Sequence, residues 1–145
     1  MTAPSNEPSN GSNLLRYALR GNALFSASSG AGFILAAGHL ASLTGLQPPL
    51  IFTIAGIGLI GYAGPVWRLA ASPAIPPAPA WAIILADAAW VAGSLALLLS
   101  GIAPLTVMGK WLIAILADIV GIFAVLQYIG LQRLSAHIRA IEPDH

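Results

Sequence analysis

The side chains best equipped for acid–base or metal chemistry here are two aspartates embedded in apolar sequence, Asp87 and Asp118, and three histidines, His39, His137 and His145. A carboxyl group within a hydrocarbon-facing helix is by default a candidate proton or cation site. Histidine is the commonest metal ligand. At a rise of about 1.5 Å per residue, however, His39 and His137 differ in depth by more than about 20 Å and cannot share one metal or haem within a protomer. Two His39 side chains across a symmetric dimer are the one haem geometry left, and a hydrogen-bonded structural histidine is the simpler role. No serine occupies a G-x-S-x-G elbow, and no histidine and acid are spaced to serve one. With no cysteine, thiolate catalysis, disulfides and iron–sulfur ligation are excluded. The expectation is a protein with no catalytic residues, no metal and no cofactor, and not an enzyme.

The string GIGLIG (56–61) matches the G-x-G-x-x-G dinucleotide pattern. That loop must follow a strand, open a helix and be trailed by an acidic residue at ribose distance, none of which holds here. Small residues let helices approach closely in lipid, so Gly56, Gly58, Gly61 and Gly64 are expected to form a packing face. Ser28/Gly32, Ala37/Ala41 and Ala88/Ala92/Ala96 follow the same logic.

The elements that must position these groups follow from composition. The chain is 57% hydrophobic and carries only six Lys+Arg and five Asp+Glu in 145 residues, far below the roughly 25% charged of a water-soluble domain. From Gly21 through Trp67 there is no Asp, Glu, Lys or Arg, about twice the length that one helix needs to cross a bilayer. A net charge of +1 leaves no large basic surface for nucleic acid. The fold class expected is all-α: a transmembrane four-helix antiparallel bundle, with lipid as its surroundings.

Residues 1–13, MTAPSNEPSNGSN, are too poor in apolar side chains to offset the entropy of ordering and are expected to be a disordered tail. A membrane domain over 14–132 follows, with spans near 22–46, 50–67, 80–100 and 107–131. Pro48-Pro49 and the segment SPAIPPAPA (72–80) interrupt helix by removing donors and restricting the residue before each proline. The first apolar run is too long for a cleaved leader and is expected to be retained. Residues 133–145 place Leu134, Ile138 and Ile141 at helical spacing, an amphipathic continuation lying at the interface until Pro143.

Arg16, Arg20, Arg68, Arg133 and Arg139 flank one side of these spans and Lys110 alone the other. Because cationic flanks resist translocation, both termini are expected in the cytoplasm of a bacterium, the protein being multi-pass in its inner membrane. Trp67, Trp81 and Trp111 stand at span ends, where the indole prefers the headgroup level.

A carboxylate in hydrocarbon costs about 2.5–3.5 kcal/mol, so both Asp87 and Asp118 are expected to turn inward. By helical rise, Asp87 lies about 4–5 Å to the cytoplasmic side of the midplane and Asp118 within about 2 Å of it. Asn22, Ser26 and Ser29 share one face of the first span, and Asp87, Trp90 and Ser94 one face of the third. These stripes are expected to meet, with Asp87 bonded to Ser26 or Ser29 and an acceptor for the Trp90 indole. A second polar site would join Asp118 to His39, with Gln127, Tyr128, Tyr62 and Asn22 as an inner polar cap. Lys110 is expected to snorkel outward.

Three segments, LRYALRGNALFSASSGAGF (15–33), DAAWVAGS (87–94) and VLQYIGLQR (125–133), resemble a group of small bacterial four-helix integral membrane proteins of uncharacterised function. In size and span number the chain is also similar to DoxX-like membrane proteins. The resemblance implies architecture and brings no activity with it. The functional expectation is a non-enzymatic helix-packing or accessory subunit, acting as a homo-oligomer or in a larger membrane complex. The alternative is an oligomeric proton- or cation-coupled carrier of a small solute using Asp87.

Overall fold

The computed structural model describes residues 10–141, which are all-helical. In chain order they form α1 (Asn10–Leu35), α2 (Ala37–Thr44), α3 (Leu50–Ala71), α4 (Pro77–Ser100) and α5 (Val107–Ile141). The expectations for residues 1–9 and 142–145, His145 among them, lie outside the described residues.

Local chemistry explains most of the boundaries. Pro49 precedes the first turn of α3, and Pro77 opens α4, where the missing N–H of proline would have no partner in any case. Gly45 and Gly101, at φ 83° and 65°, close α2 and α4 in the left-handed conformation that glycine adopts without a Cβ clash. Arg16 reaches from α1 to the end of α3. Its Nη1 donates to the carbonyls of Ala70 and Ser72, both at 2.6 Å, and its Nη2 to Pro73 at 3.2 Å.

Two expectations need correction. Residues 10–13, assigned above to the disordered tail, are the first turn of α1. The stretch 22–46 is not one continuous helix: it covers parts of α1 and α2, bent by 88°. Ala36, at φ −109° and ψ 17°, leaves helical geometry. The bend is held from outside: Thr106 donates its backbone N–H to Thr44 (2.9 Å) and its hydroxyl to Leu43 (2.5 Å), tying the end of α2 to the start of α5. At the other end α5 runs unbroken to Ile141.

Three helices are long and apolar enough to cross a membrane, and a fourth is if α1 and α2 count as one broken span. At most 22% of the residues in the apolar windows of α3, α4 and α5 are buried. Leu85, Leu99, Ile57, Ile122 and Trp111 are among many large apolar side chains left exposed, a surface suited to hydrocarbon rather than water.

The long helices pack in the spatial order α3, α1, α5, α4, each antiparallel to its neighbours. Gly30 of α1 and Gly56 of α3 mark the closest crossing, where a Cβ on Gly56 would stand 2.5 Å from the Gly30 carbonyl oxygen. Gly58, Gly61 and Gly64, expected to share that packing face, have open space where a Cβ would be. Ala88, Ala92 and Ala96 also face outward. Although joined by a short connection, α3 and α4 touch little. They converge at the end that holds Val66, Leu69, Ala70, Ile75, Ala80, Ile83 and Ile84, a core shared with Leu15, Leu19 and Leu131. Beyond that end they diverge and leave a cleft.

Candidate functional site

Asp87 is 3% exposed and receives a hydrogen bond from each of the other three long helices. Asn22 of α1 donates from Nδ2 to Oδ2 at 2.6 Å, Gln127 of α5 from Nε2 to Oδ2 at 3.1 Å, and Tyr62 of α3 from its hydroxyl to Oδ1 at 2.7 Å. Ser26, one turn beyond Asn22, donates to Asn22 Oδ1 at 3.3 Å, which orients the amide so that its NH2 faces the acid. Every group points a donor at Asp87, the pattern that an acceptor-only carboxylate calls for. Gln127 Oε1 is buried without a partner among the described residues.

Helical spacing places these groups. On α1 the buried positions Leu15, Leu19, Asn22, Ser26 and Gly30 form one face, which turns Asn22 and Ser26 inward. On α5, Ala117, Val120, Gln127 and Leu131 do the same for Gln127. Trp67 and Trp81 lie exposed at the converging ends of α3 and α4. Tyr62 is five residues inward of one and Asp87 six inward of the other, so rises of about 7.5 and 9 Å bring them to one level.

The expected stripes therefore meet with different partners. Asn22 rather than Ser26 or Ser29 bonds Asp87, and Ser26 acts through Asn22. Ser29 is half-buried and lines the cleft without a hydrogen bond among the described residues. Ser94 turns back to the Trp90 carbonyl on its own helix at 2.8 Å. The Trp90 indole has no acceptor among the described residues and faces the cleft. Gln127, Tyr62 and Asn22, expected to form an inner cap, surround Asp87 itself. Tyr128 is exposed and packs edge-on against Trp81, ring centres 5.7 Å apart.

The second polar site does not form. Asp118 and His39 are both exposed, and neither side chain makes a hydrogen bond among the described residues. Asp118 directly follows buried Ala117, and one residue turns a helix by about 100°, which carries it off the interior face. His137 is exposed on the last turns of α5. No group of three or more His, Cys, Asp or Glu able to hold a metal ion occurs among the described residues.

The cleft between α3 and α4 holds two cavities. The inner one, about 290 Å³, is bounded by Ser26, Ser29, Tyr62, Asp87 and Trp90, with Phe25 and Phe33. The outer one, about 360 Å³, extends to Thr44, Gly93 and Leu97. Phe33, Ala55, Trp90 and Leu116 border both, so the two adjoin.

Compared with known protein families, curated proteins and solved structures, the chain matches none of them. The functional reading accordingly rests on its own residues.

Proposed function

We propose that this chain is a four-helix, multi-pass protein of a bacterial inner membrane, with both termini cytoplasmic, that serves as a non-enzymatic accessory subunit by packing against a protein partner within the bilayer. The observation that carries this reading is Asp118. It stands exposed and, among the described residues, without a hydrogen bond on the longest apolar helix. Trp111, Ile115, Ile122 and Val125, each more than half exposed, extend from it at alternating steps of four and three residues. That is the spacing of a helix–helix seam. Facing lipid, the carboxylate would cost about 2.5–3.5 kcal/mol, which a donor on an adjoining helix offsets. The outward Gly61 and Gly64 suit close approach of a further helix. Orientation rests on the excess of arginines at one set of span ends.

A photo-crosslinking residue placed at Ile115 or Ile122 in intact membranes tests this reading, with exposed Leu85 on α4 as the control. The expected result is one discrete adduct from the α5 positions and none from Leu85, its mass distinguishing a second copy from another protein. Adducts at all three positions alike, or at none, would overturn it.

One observation favours a second reading, an oligomeric proton- or cation-coupled carrier: Asp87 borders a cavity. Liposomes loaded with a pH-sensitive dye separate the two. Proton movement that vanishes in Asp87→Asn supports the carrier, and its absence in the native protein supports the accessory subunit.

A further inference from the structure

The cleft between α3 and α4 is apolar along its length and acidic at its inner end. No Lys or Arg borders either cavity. The cations of the chain are engaged elsewhere or exposed: Arg16 is bonded to the carbonyls at the end of α3, and Arg20, Arg68, Lys110, Arg133 and Arg139 lie on the surface. Asp87 thus has three donors but no counter-charge among the described residues. A carboxylate offers about four lone-pair sites, so three bonds leave capacity for one more donor.

The surroundings narrow the chemistry of that donor. Phe25, Phe33, Tyr62 and Trp90 border the inner cavity, and aromatic faces attract ammonium groups. Ser29 adds a hydroxyl oxygen with no partner among the described residues. An anion is repelled by the acid despite the Ser29 hydroxyl and the Trp90 indole N–H, and a neutral alcohol can donate one hydrogen bond but leaves the charge unpaired. From Asp87 to Leu97 the cleft follows α4 for about 15 Å. Its two cavities, about 290 and 360 Å³, are of the size that holds small molecules. A whole helix, about 10 Å across, is too thick for such a space, whereas a single alkyl chain is not.

We propose that this cleft binds a lipophilic amine, its ammonium head against Asp87 among the aromatic rings and its apolar chain along α4 in the outer cavity. The site is distinct from the α5 seam and requires no transport. Its test uses the isolated full chain at equilibrium, so a failed crosslinking or liposome experiment leaves it standing.

The probes are decylamine, decanol and decanoate, which share a tail and differ in head, titrated by calorimetry into the protein in nanodiscs of neutral phosphatidylcholine. Empty nanodiscs correct for partition. Saturable one-to-one binding of decylamine is expected, about tenfold tighter than decanol, with decanoate weakest. Asp87→Asn should abolish the preference for amine over alcohol. Gly58→Leu, which projects a side chain into the inner cavity from a position where a Cβ meets nothing within 4 Å, should weaken both ligands while leaving the hydrogen bonds around Asp87 in place. Equal affinity for amine and alcohol in the native protein, or an unchanged amine preference in Asp87→Asn, would overturn the proposal. Should Asp87→Asn fail to fold, undiminished amine binding by Gly58→Leu would overturn it instead.

Discussion

Tyr62 and Asp87 meet across α3 and α4, consecutive helices that otherwise touch little, the phenol donating to Oδ1 of the acid at 2.7 Å. With Asn22 and Gln127 on the other oxygen, one side chain binds all four long helices at a single level. Below that level α3 and α4 share an apolar core, and above it they part. The acid therefore sits where the packing of the pair changes from closed to open.

The first prediction concerns Asp87 as a structural tie. Asp87→Leu strands the buried donors of Asn22 and Gln127, each costing about 1–3 kcal/mol when left unpaired, and leaves the half-buried Tyr62 hydroxyl only the Ile83 carbonyl at 3.4 Å. Asp87→Asn keeps shape and an acceptor oxygen, and should lose no more than about half as much. Thermal unfolding in detergent should rank native, Asn, Leu in falling order. Equal midpoints for the two variants would remove Asp87 from the role of tie.

A second prediction separates glycines that look alike in sequence. Gly56→Leu must force α1 and α3 apart, because even its Cβ would lie 2.5 Å from the Gly30 carbonyl oxygen, and should cost about 1–3 kcal/mol or more. Gly61→Leu meets nothing within 4 Å and should leave the unfolding midpoint unchanged or raised, since leucine favours helix over glycine. The same melting experiment compares them.

Arg16 yields a third. Its fork satisfies the carbonyls of Ala70 and Ser72 at the end of α3, where a cation also complements the helix dipole. The site is only partly buried, so Arg16→Leu should cost about 1–2 kcal/mol. Arg16→Lys should recover only part of it, because an ammonium cannot reproduce the planar fork. Amide exchange at the last turn of α3 is the local readout, and unchanged protection there in Arg16→Leu would count against the cap.

Depth was legible in the sequence, whereas rotation about each helix axis was not. The i, i+4 spacing of Asn22 and Ser26 marks a shared face, and the tryptophans at the span ends put Tyr62 and Asp87 at one height. Tyr62, the partner of Asp87 on α3, was reachable by that count, yet it was assigned only to a cap. Asp118 shows the opposite case. In a helix that is apolar on every side, periodicity carries little directional information. Only the neighbours Ala117 and Val120, buried in the folded chain, reveal which way it turns. The bend at Ala36 has no proline behind it. The end of α2 beyond it is tied down by Thr106, some seventy residues away in sequence, a contact that no local pattern could disclose.

That bend has a consequence for the lipid beside it. The charge-free portion of α1, Gly21–Leu35, rises only about 22 Å, against roughly 30 Å of hydrocarbon in an ordinary bilayer. α3 and α4 are long enough to match the full thickness, so one corner of the molecule is shorter than the rest. In a bilayer, acyl chains packed around that corner would compress, and a dimpled leaflet of this kind draws together neighbours with the same shortfall.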